Sequence, residues 1–127
     1  MSRPVAMKSN LHNDFRIGGF AEFVPVKETS LALKPKGLTM EEAASLPLVA
    51  LTAWQALIER AHLQKEQKVL IQAGSGGVGT FAIQLAKHVG ATVATTTSTD
   101  NVDLVRSLGA DVVIDYKKQD FAHILRD

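Results

Sequence analysis

The sequence predicts an α/β fold built on a doubly wound parallel sheet, and three observations carry that prediction. Short apolar, β-branched runs recur at residues 69–71 (VLI), 92–97 (TVATTT) and 112–114 (VVI). Amphipathic stretches of helical spacing separate them. A glycine, Gly90 and then Gly109, stands at the end of each such stretch. Alternation of this kind implies parallel strands joined by right-handed crossovers. The chain has 127 residues, a length that suits one domain, and 46% of them are hydrophobic, enough to build a core rather than a disordered chain.

Taken in order, residues 1–17 are polar and unpatterned and read as a loop or terminal arm. Residues 18–26 (GGFAEFVPV) read as a strand, which Pro25 confines to an edge or bulge. Residues 30–34 (SLALK) read as a second short extended piece, halted by Pro35 and Gly37. Thr39 with Glu42 three residues on matches a capping box, so a helix opens there. Pro47 is expected to end or kink it. A longer helix is expected over residues 49–61, with Leu51, Trp54, Leu57 and Ile58 on one core-facing stripe. Residues 69–71 suit a strand buried on both faces. Val78, Phe81, Ala82, Leu85, Ala86 and Val89 then form the stripe of a helix packed on a sheet, stopped by Gly90. Val102, Val105 and Leu108 mark the next helix, stopped by Gly109, and residues 121–125 begin a third.

Gly74-Ser75-Gly76-Gly77-Val78-Gly79 is a full G-x-G-x-x-G match. Alone it would be a common turn. It directly follows a predicted strand and directly opens a predicted helix, the context a dinucleotide loop requires. In that reading Gly74 permits the tight turn, Gly76 lets the backbone approach a pyrophosphate, and Gly79 lets the helix pack closely. The free amides of the helix start, with the helix dipole, form the anion site. A phosphate loop of the ATPase kind would need Gly-Lys-Ser/Thr at its end, but Gly79 is followed by Thr80 and Phe81. A short-chain dehydrogenase would carry Tyr-x-x-x-Lys, but the one tyrosine, Tyr116, has Asp120 four residues on.

Other chemistries find little footing. The net charge is +1 and no stretch gathers Lys and Arg, so neither nucleic acid nor a membrane surface is an expected partner. No segment reaches the ~20 apolar residues of a membrane span, and the N-terminus has no signal-peptide pattern. The absence of cysteine excludes disulfides and thiolate zinc ligands within these residues and is compatible with a reducing, cytoplasmic setting. His12, His62, His88 and His123 are scattered, with none at metal-ligand spacing.

The tip of the second strand bears on which nucleotide would bind. NAD binders usually place Asp or Glu there to hold the ribose 2′-hydroxyl. Here the tip reads Thr97-Ser98-Thr99, hydroxyls that can donate to a 2′-phosphate, which favours NADP. Asp100 stands just beyond, and no Arg or Lys lies within residues 99–103. Residues 98–100 could equally cap the following helix.

The runs LALKPKGLTMEEAASLPLVALTAWQAL, KVLIQAGSGGVGTFAIQLAKHVGATV, TTTS and LGADVVIDY together resemble the medium-chain dehydrogenase/reductases, with the zinc-independent quinone oxidoreductases as the nearest branch. The resemblance implies a Rossmann domain preceded by a GroES-like catalytic domain. Residues 1–38 would be the tail of the latter and residues 39–127 the first half of the former. It also implies hydride transfer from NADPH to a quinone or an α,β-unsaturated carbonyl, in a homodimeric parent enzyme. Gly76, Gly77, Val78 and Gly79 would face the pyrophosphate, with Gly74 and Ser75 completing the loop. Thr97 and Ser98 would face the adenosine ribose and its 2′-phosphate, with Tyr116 close by. Where many members carry a lysine after the serine, this chain has Asp100 and Asn101. Thr52 matches a family threonine near the nicotinamide, although a helix-interior hydroxyl bonded to its own backbone is the plainer role.

The resemblance leaves no residue of this chain to assign to catalysis, and the chain by itself is expected to be inactive. Two alternatives remain: a non-catalytic nucleotide-binding module, and part of a zinc-dependent alcohol dehydrogenase. In strand order 3-2-1 the first strand would lack its usual neighbour and present an unpaired edge.

Overall fold

A computed structural model describes residues 22–120 and Ile124. The expected N-terminal arm, the start of the expected first strand at residues 18–21, and all but Ile124 of the expected last helix lie outside those residues. The chain divides into two compact units between Leu38 and Thr39.

Among the described residues of the first unit, 22–27 and 31–34 carry no sheet, and the one regular piece is a single 3₁₀ turn, Glu28–Ser30. The extended pieces expected at residues 22–26 and 30–34 are therefore not strands. Leu31 does have an extended backbone, but among the described residues no strand offers it a ladder, and Phe23 and Leu33 are almost fully exposed. Side-chain preference for β structure is a preference for a pleated, half-buried surface, and without one it expresses nothing.

The second unit opens with helix α1, Met40–Trp54. Its capping box is complete: Thr39 Oγ1 accepts from Glu42 N at 3.1 Å, and Glu42 Oε2 accepts from Thr39 N at 2.8 Å. Pro47 lies inside this helix and does not end it. The helix then widens into a π-helical stretch, Gln55–Arg60, marked by the Ala61 N–H bond to Ala56 O at 3.0 Å. One continuous rod thus replaces the two helices expected. The wider turn shifts the face of the side chains that follow it, from Gln55 on. Ala53 and Leu57 are buried, whereas Leu51 is 57% exposed and Trp54 46%, so the latter two are not core residues as expected. Thr52 Oγ1 donates to Leu48 O at 2.6 Å, the back-bonded role anticipated for it.

Strands β1 (Lys68–Ile71), β2 (Thr92–Thr97) and β3 (Val112–Asp115) form one parallel sheet in the order β1-β2-β3. Lys68 stands opposite Thr92, and Thr97 opposite Asp115. Helix α2 (Gly77–Val89) connects β1 to β2, and helix α3 (Val102–Ser107), entered through a 3₁₀ turn at Thr99–Asn101, connects β2 to β3. The Rossmann-like half-sheet predicted from the alternation is the fold observed. Alternate residues share a face, and Val93, Thr95 and Thr97 on one face of the central strand are fully buried. Helix α2 buries Gly79, Ala82, Ile83 and Ala86. Ile83, absent from the expected stripe, is completely enclosed, while Val78 is exposed at the helix start.

The outer strands depart from expectation. Leu70 and Val112, both level with Ala94, are exposed, so β1 is not covered on both faces. Among the described residues only β2 pairs with β1, which leaves its other edge open.

One clasp ties the far end of the sheet. Asp111 Oδ2 accepts from Val93 N at 2.7 Å, and both of its carboxylate oxygens lie 2.9 Å from Lys87 Nζ. Gly109, at φ 104°, leaves room for the Lys87 stem. The Val93 amide first, then the Lys87 ammonium, hold the Asp111 carboxyl below its ordinary value of 3.8. A lowered folded-state pKa adds stability that is present above the unfolded value and is lost as pH falls through the folded one. Acidification from about pH 5 to about pH 3 is therefore expected to lower Tm. The fall should be shallower in Asp111→Asn, as followed by circular dichroism; equal slopes would remove Asp111 from the account.

Candidate dinucleotide site

The glycine loop leaves β1 at Ile71 and enters α2 at Gly77. What shapes it is the second strand. Thr95 Oγ1 donates to Ile71 O at 2.6 Å, Thr96 Oγ1 accepts from Ala73 N at 3.1 Å, and Thr96 O accepts from Gly74 N at 2.9 Å. Thr97 Oγ1 donates to Ser75 Oγ at 3.0 Å. Three consecutive threonines thus stitch the end of β1 and the loop to the neighbouring strand, all through their hydroxyls and Thr96 also through its carbonyl. A run of three threonines at the end of an otherwise apolar strand was the signal for this, because hydroxyls buried there need partners.

The glycines divide by function. At Gly74 a Cβ would lie 2.1 Å from Thr95 Oγ1 and 3.0 Å from Ile83 Cδ1. At Gly79 it would lie 2.3 Å from Ala73 O and 2.8 Å from Gly74 Cα. Both positions are closed by close packing. The left-handed residue of the turn is Ala73, at φ 54°, rather than Gly74, so Gly74 serves the approach of Thr95 and not the turn itself. At Gly76 and Gly77 the nearest atoms to a Cβ are Ala73 O at 3.2 Å and Val49 Cγ1 at 3.1 Å, and both residues are exposed.

Gly76 is the N-cap of α2 and has no side chain to cap it. The first amides of a helix lack intrahelical acceptors. The Thr80 amide already bonds Gly76 O at 2.9 Å, so the anion-seeking amides are those of Gly77, Val78 and Gly79. Absence of Cβ at Gly76 and Gly77 keeps their approach open, and the dipole of a 13-residue helix adds partial positive charge. A diphosphate therefore fits this cradle on backbone chemistry alone.

At the tip of β2, Ser98 Oγ accepts from Asn101 Nδ2 at 3.0 Å and makes no capping bond to the helix amides. Tyr116, 57% exposed, follows β3 directly, and its amide donates to Thr97 O at 3.1 Å. The structure thus brings Thr97, Ser98 and Tyr116 to one end of the sheet, with Ser75 of the loop bonded to Thr97. Sequence reasoning missed the group beside them. Asp115 is buried at the end of β3; its Oδ2 accepts from Thr99 Oγ1 at 2.6 Å and its Oδ1 from Lys117 N at 3.0 Å. The Thr99 hydroxyl above all holds the Asp115 carboxyl below 3.8, against the opposing effect of burial. This carboxylate is engaged with its own turn.

No described helix is long and apolar enough to cross a membrane. Among the described residues no group of three or more His, Asp or Glu side chains could hold a metal ion, and His62 and His88 are exposed.

Comparison with known proteins gives the same direction. Residues 77–127 match the family described as zinc-binding dehydrogenase. The chain is 49% identical over 108 residues to a 2-methylene-furan-3-one reductase of Solanum lycopersicum, covering 84% of this chain and 28% of that protein. It is 49% identical over 106 residues to an NADPH-dependent alkenal/one oxidoreductase, chloroplastic, of Arabidopsis thaliana, covering 82% and 27%. Among solved structures, the quinone oxidoreductase of Thermus thermophilus, known also in complex with NADPH, superposes with a TM-score of 0.73 at 38% identity over 80% of this chain and 34% of that one. The chain spans little more than a quarter of the length of these curated relatives. By its glycine loop, its strand order and these likenesses, the chain resembles the medium-chain dehydrogenase/reductases, and the proteins it is similar to include ones named as alkenal/one and quinone oxidoreductases.

Proposed function

We propose that this chain forms the adenosine and pyrophosphate half of an NADP(H) site, in an oxidoreductase that reduces a quinone or an α,β-unsaturated carbonyl. Residues 39–127 would be the first half of its Rossmann domain, and residues 1–38 the end of a GroES-like catalytic domain. The observation that carries the reading is the uncapped start of α2, with its amides open at Gly76 and Gly77, next to a β2 tip of hydroxyls. The names of the relatives support the substrate class and the preference for NADPH. A reducing compartment suits a chain without cysteine, and the cytoplasm is one such compartment; the Arabidopsis relative is a chloroplast protein.

The bound nucleotide would supply the hydride. The residues of this chain position it: the Gly77, Val78 and Gly79 amides hold the pyrophosphate, and Ser75 keeps the loop against Thr97. Thr97 and Ser98 face the ribose, and Tyr116 stands next to them. None of these side chains has a part in the chemistry of the acceptor; the protein's contribution at this end is placement and charge.

Trp54 is the one tryptophan and lies beside Phe81 and Leu85 of α2, so its fluorescence offers a readout of changes at that helix. Titration with NADPH and NADH, checked by calorimetry, is expected to give a Kd for NADPH about tenfold lower, the effect of one charge-assisted hydrogen bond. Equal affinities would remove the NADP preference. Failure to bind either nucleotide would remove the site.

A further inference from the structure

We infer that Lys118, helped by Lys117, supplies the positive charge that recognises the adenosine 2′-phosphate. This rests on the NADP reading above and names the cation that reading lacks. Residues 97–103 contain no Lys or Arg, and Asp100 and Asp103 there are exposed carboxylates. Something else must offset a dianionic phosphate at the β2 tip.

Register brings the lysines to that place. Thr97 stands opposite Asp115 in a parallel pair, so the residues following each leave the sheet side by side. The turn after β3 is tightly tied. Lys118 N and Gln119 N both donate to Asp115 O, at 3.0 and 2.8 Å, and Asp115 N donates to Gln119 Oε1 at 3.1 Å. Lys118 Nζ lies 3.8 Å from Asp115 Oδ2, the same oxygen that accepts the Thr99 hydroxyl at 2.6 Å. The Lys118 ammonium and the ribose-side loop thus converge on one atom.

Lys118 is held there but not spent. At 3.8 Å the contact is an ion pair beyond hydrogen-bond length, and its side chain is 66% exposed. The ammonium is the exposed partner of a long contact to a carboxylate that is itself only 10% exposed, so Lys118 can turn towards a phosphate while Asp115 stays in place. Asp115 keeps its remaining partners, Thr99 and the Lys117 amide, and stays anionic when the ammonium moves. Asp115 is in this arrangement a positioning residue, and the lysines determine specificity. Lys117 is exposed on the same turn and adds charge there.

The test measures Kd for NADPH and NADH in the full chain and in Lys118→Ala, Lys118→Arg and the double variant K117A/K118A. Thermal melts would confirm that each variant is folded. The double variant is expected to weaken NADPH about tenfold and leave NADH unchanged, with Lys118→Arg close to the parent. The NADPH affinity of the parent should also fall more steeply with salt than that of the double variant. Unchanged NADPH affinity in the double variant, or equal weakening of both nucleotides, would overturn the lysine assignment. Equal binding of NADPH and NADH by the unmodified chain would instead overturn the NADP reading, and the assignment with it.

Discussion

Gly79→Ala is expected to destabilise the fold by about 3 kcal/mol, although it places a better helix former inside a helix. Alanine in a helix interior ordinarily gains about 1 kcal/mol over glycine. Here the added methyl would stand 2.3 Å from Ala73 O, 2.8 Å from Gly74 Cα and 2.9 Å from Gly74 C. All three are backbone atoms, so no rotamer change relieves the contact. The loop must move away from α2, and it is pinned on its other side by Thr95, Thr96 and Thr97. Overpacking of this kind costs roughly 1–3 kcal/mol and sometimes more, against a total stability of about 5–15 kcal/mol. Gly77→Ala is the internal control, because its methyl meets only the end of the Val49 side chain at 3.1 Å, as is Gly37→Ala, which meets nothing within 4 Å. Urea melts should rank Gly79→Ala far below both. A melt for Gly79→Ala at or above the parent would show that the loop yields freely, and the close-packing account of the G-x-G-x-x-G spacing would fail with it.

Much of this architecture was legible because local chemistry and tertiary structure agree there. Thr39 and Glu42 form the capping box that their spacing announces. Gly90 and Gly109 stop their stretches with φ at 89° and 104°, the left-handed region that favours glycine. β2 runs over the residues its composition marks. The failures share a different character. Pro47 carries a strong local signal against helix, but a proline removes one backbone bond, and the packing of α1 on α2 outweighs that loss. Leu51 and Trp54 share a face at the 3.6-residue period of α1, but the face that packs is the neighbouring one that carries Ala53 and Leu57, which period alone does not select. At the site, the glycines could be read because their function is an absence of side chain, which spacing reveals. The partnership of Thr95 and Thr96 with the loop joins residues more than twenty apart, and the bond from Thr99 at the β2 tip to Asp115 depends on register across two strands. No local pattern encodes either.

Gly76→Asp separates the two meanings that a glycine at a helix start can have. Gly76 occupies the N-cap of α2 with φ −76° and ψ 166°, a backbone any residue adopts, and it makes no side-chain capping bond. Aspartate is among the best N-caps, worth about 1 kcal/mol, and its charge also suits the helix dipole. The new Cβ would press on Ala73 O at 3.2 Å, a contact that a shift of a few tenths of an ångström relieves. Stability is therefore expected to stay within ~1 kcal/mol of the parent, and any gain comes from the cap. Affinity should go the other way. The carboxylate would take the amides of α2 that a pyrophosphate needs and set a like charge against it. NADPH and NADH should both weaken at least ~100-fold, equivalent to about 2.7 kcal/mol. Gly76→Ser, a neutral cap, should fall between the parent and the aspartate variant, because it competes for the same amides without the repulsion. If this loop were only a flexible bend, the aspartate variant would be the more stable protein and bind nucleotide as before. A calorimetric titration that shows a stable fold with its affinity gone would locate the diphosphate at the start of α2, because no other effect of this substitution lowers binding while sparing the helix.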